Sequence, residues 1–345
     1  MKILILGVNG FIGNALVKRI LATTDWEVFG MDLAQSKLEH SLGHPRFHFL
    51  AGDISISREW IEYHIRISDV VLPLVAIATP ATYVKAPLDV FELDFEENLR
   101  VVRQCSKYKK RLVFPSTSEV YGMCADPEFD EDASPLVYGP ISKSRWIYAC
   151  SKQLLDRVIA AFGQQEGLQY TCFRPFNWIG PKLDDIDAAK EGSSRVVTQF
   201  VIDLMRGQPI KLVDGGEQKR CFTFLSDGID ALMKIIANPG GVCDGEIFNI
   251  GNPDNECSVR ELAERLIRIY EARRGDIPDY QSPKCEATRS ETYFGGGYQD
   301  IQSRKPSIAK ARKLLGWEPA TGLDAALDLT FDAFLEDWKK EVAAR

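Results

Sequence analysis

The sequence predicts an α/β fold: a doubly wound parallel sheet with a smaller carboxy-terminal substrate-binding lobe. Three observations predict it. Short apolar runs alternate with segments of helical spacing through the first half of the 345 residues, the pattern of strands buried on both faces by crossover helices. A glycine-rich turn follows the first apolar run directly. Beyond Asn177 the pattern loosens into polar, glycine-containing stretches, a composition suited to loops that cover a ligand.

Taken in order, Lys2 to Leu6 reads as the first strand and Phe11 to Leu21 as a helix. Glu27 to Met31, Phe47 to Leu50, Val70 to Leu74 and Leu112 to Phe114 are further short strands. Helices are expected over 57–66 and 88–108, then over 143–162 after Gly139-Pro140, where Trp146, Leu154, Leu155, Val158 and Phe162 recur at helical spacing. Tyr170 to Phe173 is a strand. Residues 184–194, Asp214-Gly215-Gly216 and 281–297 are irregular, and a helix over 323–338 closes the chain. Residues 1–177 are accordingly expected to form a dinucleotide-binding domain, joined by a returning segment near 225–255, with 178–345 forming most of the second lobe.

Composition removes several classes of function. Net charge is −7 and 45% of residues are hydrophobic; the basic residues are scattered, so no nucleic-acid or anionic-membrane surface is expected. The densest basic run, Lys107 to Arg111, reads as the solvated end of a helix. No apolar stretch reaches the roughly 18 residues of a membrane span, and Met1-Lys2 leads straight into a strand. A cytoplasmic protein is expected. The eight cysteines contain no Cys-x-x-Cys pair and the four histidines fall in the first fifth of the chain, so reduced thiols and structural histidines are expected and no metal site is.

The amino-terminal motif is Gly7-Val8-Asn9-Gly10-Phe11-Ile12-Gly13, between the first strand and the first helix. Glycines there admit a pyrophosphate to the backbone, and the helix start offers amide hydrogens and the positive end of its dipole. Asp32 ends the second strand about 20 residues on, where a carboxylate accepts hydrogen bonds from adenosine ribose hydroxyls and repels a 2′-phosphate. NAD is therefore expected as the cofactor in preference to NADP. Asp53-Ile54, after the third strand, reads either as an adenine contact or as an ordinary loop.

Tyr148 and Lys152 stand four residues apart and share one helical face. An ammonium beside a phenol favours the phenolate, which can take a hydroxyl proton while hydride leaves the same carbon. Ser116-Thr117-Ser118-Glu119 follows an apolar run about 30 residues earlier, and Arg145 lies one turn before Tyr148.

These motifs, in this order, resemble the extended short-chain dehydrogenase/reductases that act on nucleotide sugars, on a Rossmann-type fold. Asp-Val-Val-Leu-Pro-Leu-Val-Ala-Ile-Ala-Thr-Pro (69–80), Phe-Glu-Leu-Asp-Phe-Glu-Glu-Asn (91–98), Pro-Ser-Thr-Ser-Glu-Val-Tyr-Gly-Met-Cys (115–124), Arg-Pro-Phe-Asn-Trp (174–178), Gln-Lys-Arg-Cys-Phe-Thr (218–223) and Arg-Lys-Pro-Ser (304–307) narrow the resemblance. They are similar to the UDP-glucuronate decarboxylase half of the bifunctional polymyxin-resistance proteins, along nearly the whole chain. Those proteins carry a formyltransferase domain ahead of this region; the present sequence begins at the dehydrogenase strand, so formyl transfer is not expected of it.

The resemblance implies oxidation of UDP-glucuronic acid at C4 by NAD, loss of carbon dioxide from the resulting β-keto acid and release of a UDP-4-keto-pentose. Re-reduction to UDP-xylose is a close alternative and a UDP-hexose epimerase a further one. Tyr148 would take the C4 proton with Lys152 tuning it and holding the nicotinamide ribose, and Ser118 or Thr117 would stabilise the enolate. Glu119 would lie at the C5–C6 end; Arg304 would pair the departing carboxylate or supply a proton to C5. Arg220, with Arg195 and Lys211, would bind the UDP diphosphate. Asn177 would contact sugar or diphosphate, Tyr298 the nucleotide, and Arg145 the edge of the site. Apolar faces on the helices over 88–108 and 143–162 resemble the family's homodimer interface.

Overall fold

The computed structural model describes residues 1–343. Seven parallel strands form one sheet in the order Glu246–Ile250, Tyr170–Pro175, Arg111–Pro115, Val70–Pro73, Lys2–Leu6, Glu27–Asp32, Phe47–Ala51. Register follows directly: Ile3 faces Val28 on one side and Val70 on the other. Because side chains alternate along a strand, the sheet divides the interior into two cores. Ile3, Ile5, Val28, Val70 and Val113 enter one, which the helices Phe11–Thr23 and Leu225–Ala237 cover. Leu4, Leu6, Phe29, Val71 and Phe114 enter the other, beneath Arg58–Ile67, Asn98–Lys107 and Trp146–Glu166.

Two differences from the sequence expectation bear on the site. The helix expected over 88–108 is interrupted: Pro87–Phe91 and Asn98–Lys107 are α-helical, but Glu92–Glu97 between them is a π-helical turn. The wider turn frees carbonyls, and the Asn98 side-chain amide donates to Leu93 O at 3.0 Å, Asp94 O at 3.3 Å and Val75 O at 3.2 Å. A π-turn of this kind sets one residue out of α register; here Asp94 lies fully buried. The helix expected over 143–162 instead runs Trp146–Glu166 and ends on Gly167 in the left-handed region. The helix Val196–Met205, for which the sequence offers no period, is buried from Val197 to its end and so has no polar face to mark it.

Candidate active site

Strand order reverses at Lys2–Leu6, whose neighbours Val70–Pro73 and Glu27–Asp32 lead away in opposite directions. At such a switch point the carboxyl ends of the strands open a crevice. A cavity of about 440 Å³ occupies it. Its wall contains Gly7, Gly10, Phe11, Ile12 and Gly13 of the glycine motif and all twelve residues singled out in the sequence for chemistry or substrate: Thr117, Ser118, Glu119, Arg145, Tyr148, Lys152, Asn177, Arg195, Lys211, Arg220, Tyr298 and Arg304. Asp32, Asp53 and Ile54 are outside that wall.

The residues at the motif end fit a dinucleotide. Gly7 has φ +83°, and a Cβ there would stand 2.9 Å from the Leu74 carbonyl carbon; one on Gly13 would stand 2.5 Å from Gly7 O. A side chain at either position would displace the backbone that leads into the helix. The first turn of Phe11–Thr23 contains no acidic residue, so its amides and dipole remain available to an anion. Asp32 Oδ2 accepts from Asn9 N at 2.8 Å, tying the second strand to the motif. Asp53 Oδ1 accepts from Ser55 N and Oγ, both at 2.8 Å, and Ile54 is buried in the second core; these side chains close a turn and fill a core. Arg195 lies toward the motif as well: its guanidinium is 5.3 Å from the Phe11 ring and pairs with Asp184 at 2.7 Å.

Tyr148 is buried at the start of its helix and stacks on Tyr83, ring centroids 4.7 Å apart. The sequence points to a phenol pKa lowered by Lys152; in the fold, burial is the largest influence on it and works in the opposite direction. Burial pushes Tyr148 well above the ordinary phenol, the Asp94 carboxylate adds to that, and the Thr117 hydroxyl partly offsets it. Lys152 Nζ is 3.4 Å from Asp94 Oδ1, so its charge is compensated before it reaches the phenol. Neither atom has a hydrogen-bond partner among the described residues. A buried ammonium with donors to spare on the cavity wall suits a ribose hydroxyl.

The opposite end is a cluster of guanidiniums. Glu119 Oε1 accepts from Arg304 Nη1 at 2.7 Å and Oε2 from Arg145 Nη2. Arg304 Nη1 also donates to Ser118 Oγ at 3.2 Å. Arg220 pairs with Asp300 at 2.7 Å and donates to Ile301 O at 2.7 Å. Burial alone would raise the Glu119 pKa; Arg145, Arg304 and Arg220 outweigh it and hold the carboxyl at about 2. Three buried guanidiniums against the two carboxylates Glu119 and Asp300 leave a positive balance, which suits an anionic ligand. Asn177, in the left-handed region at φ 38°, donates to Cys221 O at 3.1 Å, and Tyr298 stacks on Phe294 at 4.1 Å.

Tyr83, Asp94 and Asp300 belong to this site and were not singled out in the sequence. Asp94 left a signal. It follows buried Val90 by four residues, and an acid on the apolar face of a helix requires a partner. Tyr83 and Asp300 left none.

Comparison with known proteins agrees with the geometry. The model of the NAD dependent epimerase/dehydratase family matches residues 3–251. The chain is 57% identical to the PbgP3 protein from Burkholderia pseudomallei, with a TM-score of 0.87 over 97% of each chain. The fold is shared with UDP-glucuronic acid 4-epimerase from Bacillus cereus, solved with UDP-glucuronic acid and NAD (21% identity, TM-score 0.80, 98% of this chain and 100% of that one). It is shared too with dTDP-glucose 4,6-dehydratase from Bacillus anthracis in complex with NAD (20%, 0.78, 98% of each). With its glycine motif, buried tyrosine–lysine pair and switch-point crevice, the chain belongs to the NAD-dependent epimerase/dehydratase family of extended short-chain dehydrogenase/reductases.

Proposed function

We propose that the chain catalyses NAD-dependent oxidative decarboxylation of UDP-glucuronic acid to a UDP-4-keto-pentose, carbon dioxide and NADH. The observation that carries this reading is the Ser118–Glu119–Arg145–Arg304 cluster within the same cavity as Tyr148. Arg145 and Arg304 already hold one carboxylate between them, which is the recognition that a uronic acid requires. In this reading residues 1–177 with the segment near 225–255 carry the cofactor, and the remainder holds most of the UDP-sugar.

Tyr148 takes the proton of the C4 hydroxyl. NAD, when bound along the glycine motif, would supply the acceptor for the hydride that leaves C4. The ketone so formed leaves the C5 carboxylate β to it, and the C5–C6 electrons pass to the ketone oxygen as carbon dioxide departs. Ser118 or Thr117 and the protonated Tyr148 stabilise that oxygen by hydrogen bonding. Glu119, held at about 2, has no proton to give at neutral pH. Its charge instead raises the energy of the substrate carboxylate, and the repulsion is relieved as neutral carbon dioxide leaves. Arg304 keeps the carboxylate in place or protonates C5. Arg220, Lys211 and Arg195 offer positive charge to the diphosphates, Asn177 and Tyr298 contact the UDP-sugar, and Asp32 favours NAD over NADP by repelling a 2′-phosphate.

The test is incubation with UDP-glucuronate and NAD, following absorbance at 340 nm, carbon dioxide and sugar nucleotides together. Equal amounts of NADH and carbon dioxide are expected, with Arg304→Met lowering carbon dioxide release far more than NAD affinity. UDP-xylose without net NADH would replace this reading with the re-reducing one. Inversion at C4 without carbon dioxide would replace it with an epimerase.

A further inference from the structure

We propose that Asp94 is a positioning residue for the oxidation: from its π-helical turn its carboxylate holds the Lys152 ammonium at the cavity wall beside Tyr148 and compensates its charge. The inference rests on the reading of Tyr148 and Lys152 given above.

Three observations carry it. Asp94 and Lys152 are 0% and 1% exposed, so each charge has been taken wholly out of water and the pairing is what makes burial tolerable. The 3.4 Å approach is the one ion pair shown for Lys152 among the described residues; the rings of Phe114 and Tyr148 lie 5.0 Å and 6.0 Å from its ammonium. Asp94 is itself fixed. Its Oδ2 accepts from Ile77 N at 3.0 Å, and Asn98 ties down the carbonyls of the turn that delivers it. A continuous α-helix through 87–107 would change the register on one side of Asp94 by a residue, about 100° of rotation. The irregularity of this helix thus serves the geometry of the lysine.

The consequence is electrostatic. The groups acting on Tyr148 are Asp94 from the π-turn, Lys152 from its own helix, Thr117 and Glu119 after the strand end, the stacked Tyr83 from the Pro80–Lys85 helix, and Arg195; Arg145, at the helix cap, acts on Tyr83. Among these, removal of the Asp94 charge leaves the Lys152 ammonium uncompensated and favours the phenolate.

The variant Asp94→Asn keeps an acceptor for the Ile77 amide and removes the charge. Single-turnover NADH formation from UDP-glucuronate, measured against pH, should show its acid limb moved down by about one unit. NAD affinity, read by tryptophan quenching without any sugar, should weaken in the same direction as in Lys152→Met. Asp94→Ser reports both quantities if Asp94→Asn does not fold. A purely structural Asp94 would lower the rate at all pH values and leave the limb in place; that result, with unchanged NAD affinity, overturns the proposal. Tyr148→Phe separates the two layers. Near-normal oxidation in Tyr148→Phe sinks the general-base reading, whereas an inactive Tyr148→Phe with an unmoved limb in Asp94→Asn sinks the Asp94 role alone. If UDP-glucuronate gives no NADH with the unmodified protein, the substrate is wrong and NAD affinity decides the hold on Lys152.

Discussion

Glu119 carries the electrostatics of the site at the scale of single residues. A carboxyl held at about 2 against an ordinary 4.5 binds protons more weakly in the folded chain than in the unfolded one. Its contribution to stability is therefore fully present above about pH 4.5 and is lost as pH falls toward 2, with an upper value of roughly 3 kcal/mol. Glu119→Gln should be less stable than the unmodified protein at neutral pH, and the gap in Tm should narrow from about pH 5 to about pH 3. A gap that stays constant over that range would show that Glu119 is not held by charge. Tyr148 allows a second prediction. Tyr148→Phe keeps the ring that stacks on Tyr83 and loses only the hydroxyl, so NAD binding should persist by calorimetry while oxidation falls by at least about a hundredfold.

Among the elements, the helix Val196–Met205 shows what burial on every side costs. It contains Asp203, 8% exposed, whose Oδ1 accepts from Gln199 Nε2 at 3.0 Å. Burial pushes this carboxyl up to about 6 from 3.8. The folded chain thus binds the proton more tightly than the unfolded chain. Stability falls as pH rises through the window from 3.8 to 6, by roughly 3 kcal/mol at most. Asp203→Asn removes the charge and retains an acceptor for Gln199. It should raise Tm by several degrees at pH 8 and change it little at pH 4; equal effects at the two pH values would refute the burial argument. The π-turn is the other element with a measurable cost. Asn98→Ala leaves the carbonyls of Val75, Leu93 and Asp94 without their side-chain donor, a loss of about 1–3 kcal/mol, and should show it as a lower denaturation midpoint in urea.

At the scale of the whole molecule, the two helices that frame the catalytic pair also expose apolar surface. Leu88 is 70% and Leu154 45% exposed, on the helices Pro87–Phe91 and Trp146–Glu166, which pack together. The expected partner is a second copy of this chain about a two-fold axis, the commonest closed arrangement. Light scattering should give twice the chain mass, and Leu154→Asp half of that. A monomer at every concentration of the unmodified protein would end this expectation. Among the described residues no helix is long and apolar enough to cross a membrane.

The doubly wound sheet was legible in the sequence because parallel strands buried on both faces leave near-continuous apolar runs, as Lys2–Leu6 and Val70–Pro73 do. The glycine motif and the Tyr148–Lys152 pair were legible for a similar reason: each is a local constellation whose spacing is set by one turn or one helix. Arg304 is the contrary case. Nothing in its neighbourhood marks it, and its resemblance alone drew attention to it. In the structure it meets Glu119 across 185 residues because Phe129 N donates to Lys305 O at 2.7 Å and Ser307 N to Phe129 O at 2.9 Å, laying the 304–307 segment beside the loop after Tyr121. The state of Tyr148 was likewise decided by tertiary structure. Sequence places Lys152 one turn from the phenol, but the depth of burial and the arrival of Asp94 from another helix determine which way the proton affinity moves. Spacing along a chain is a local quantity; desolvation and the sum of surrounding charges exist only once distant segments have packed.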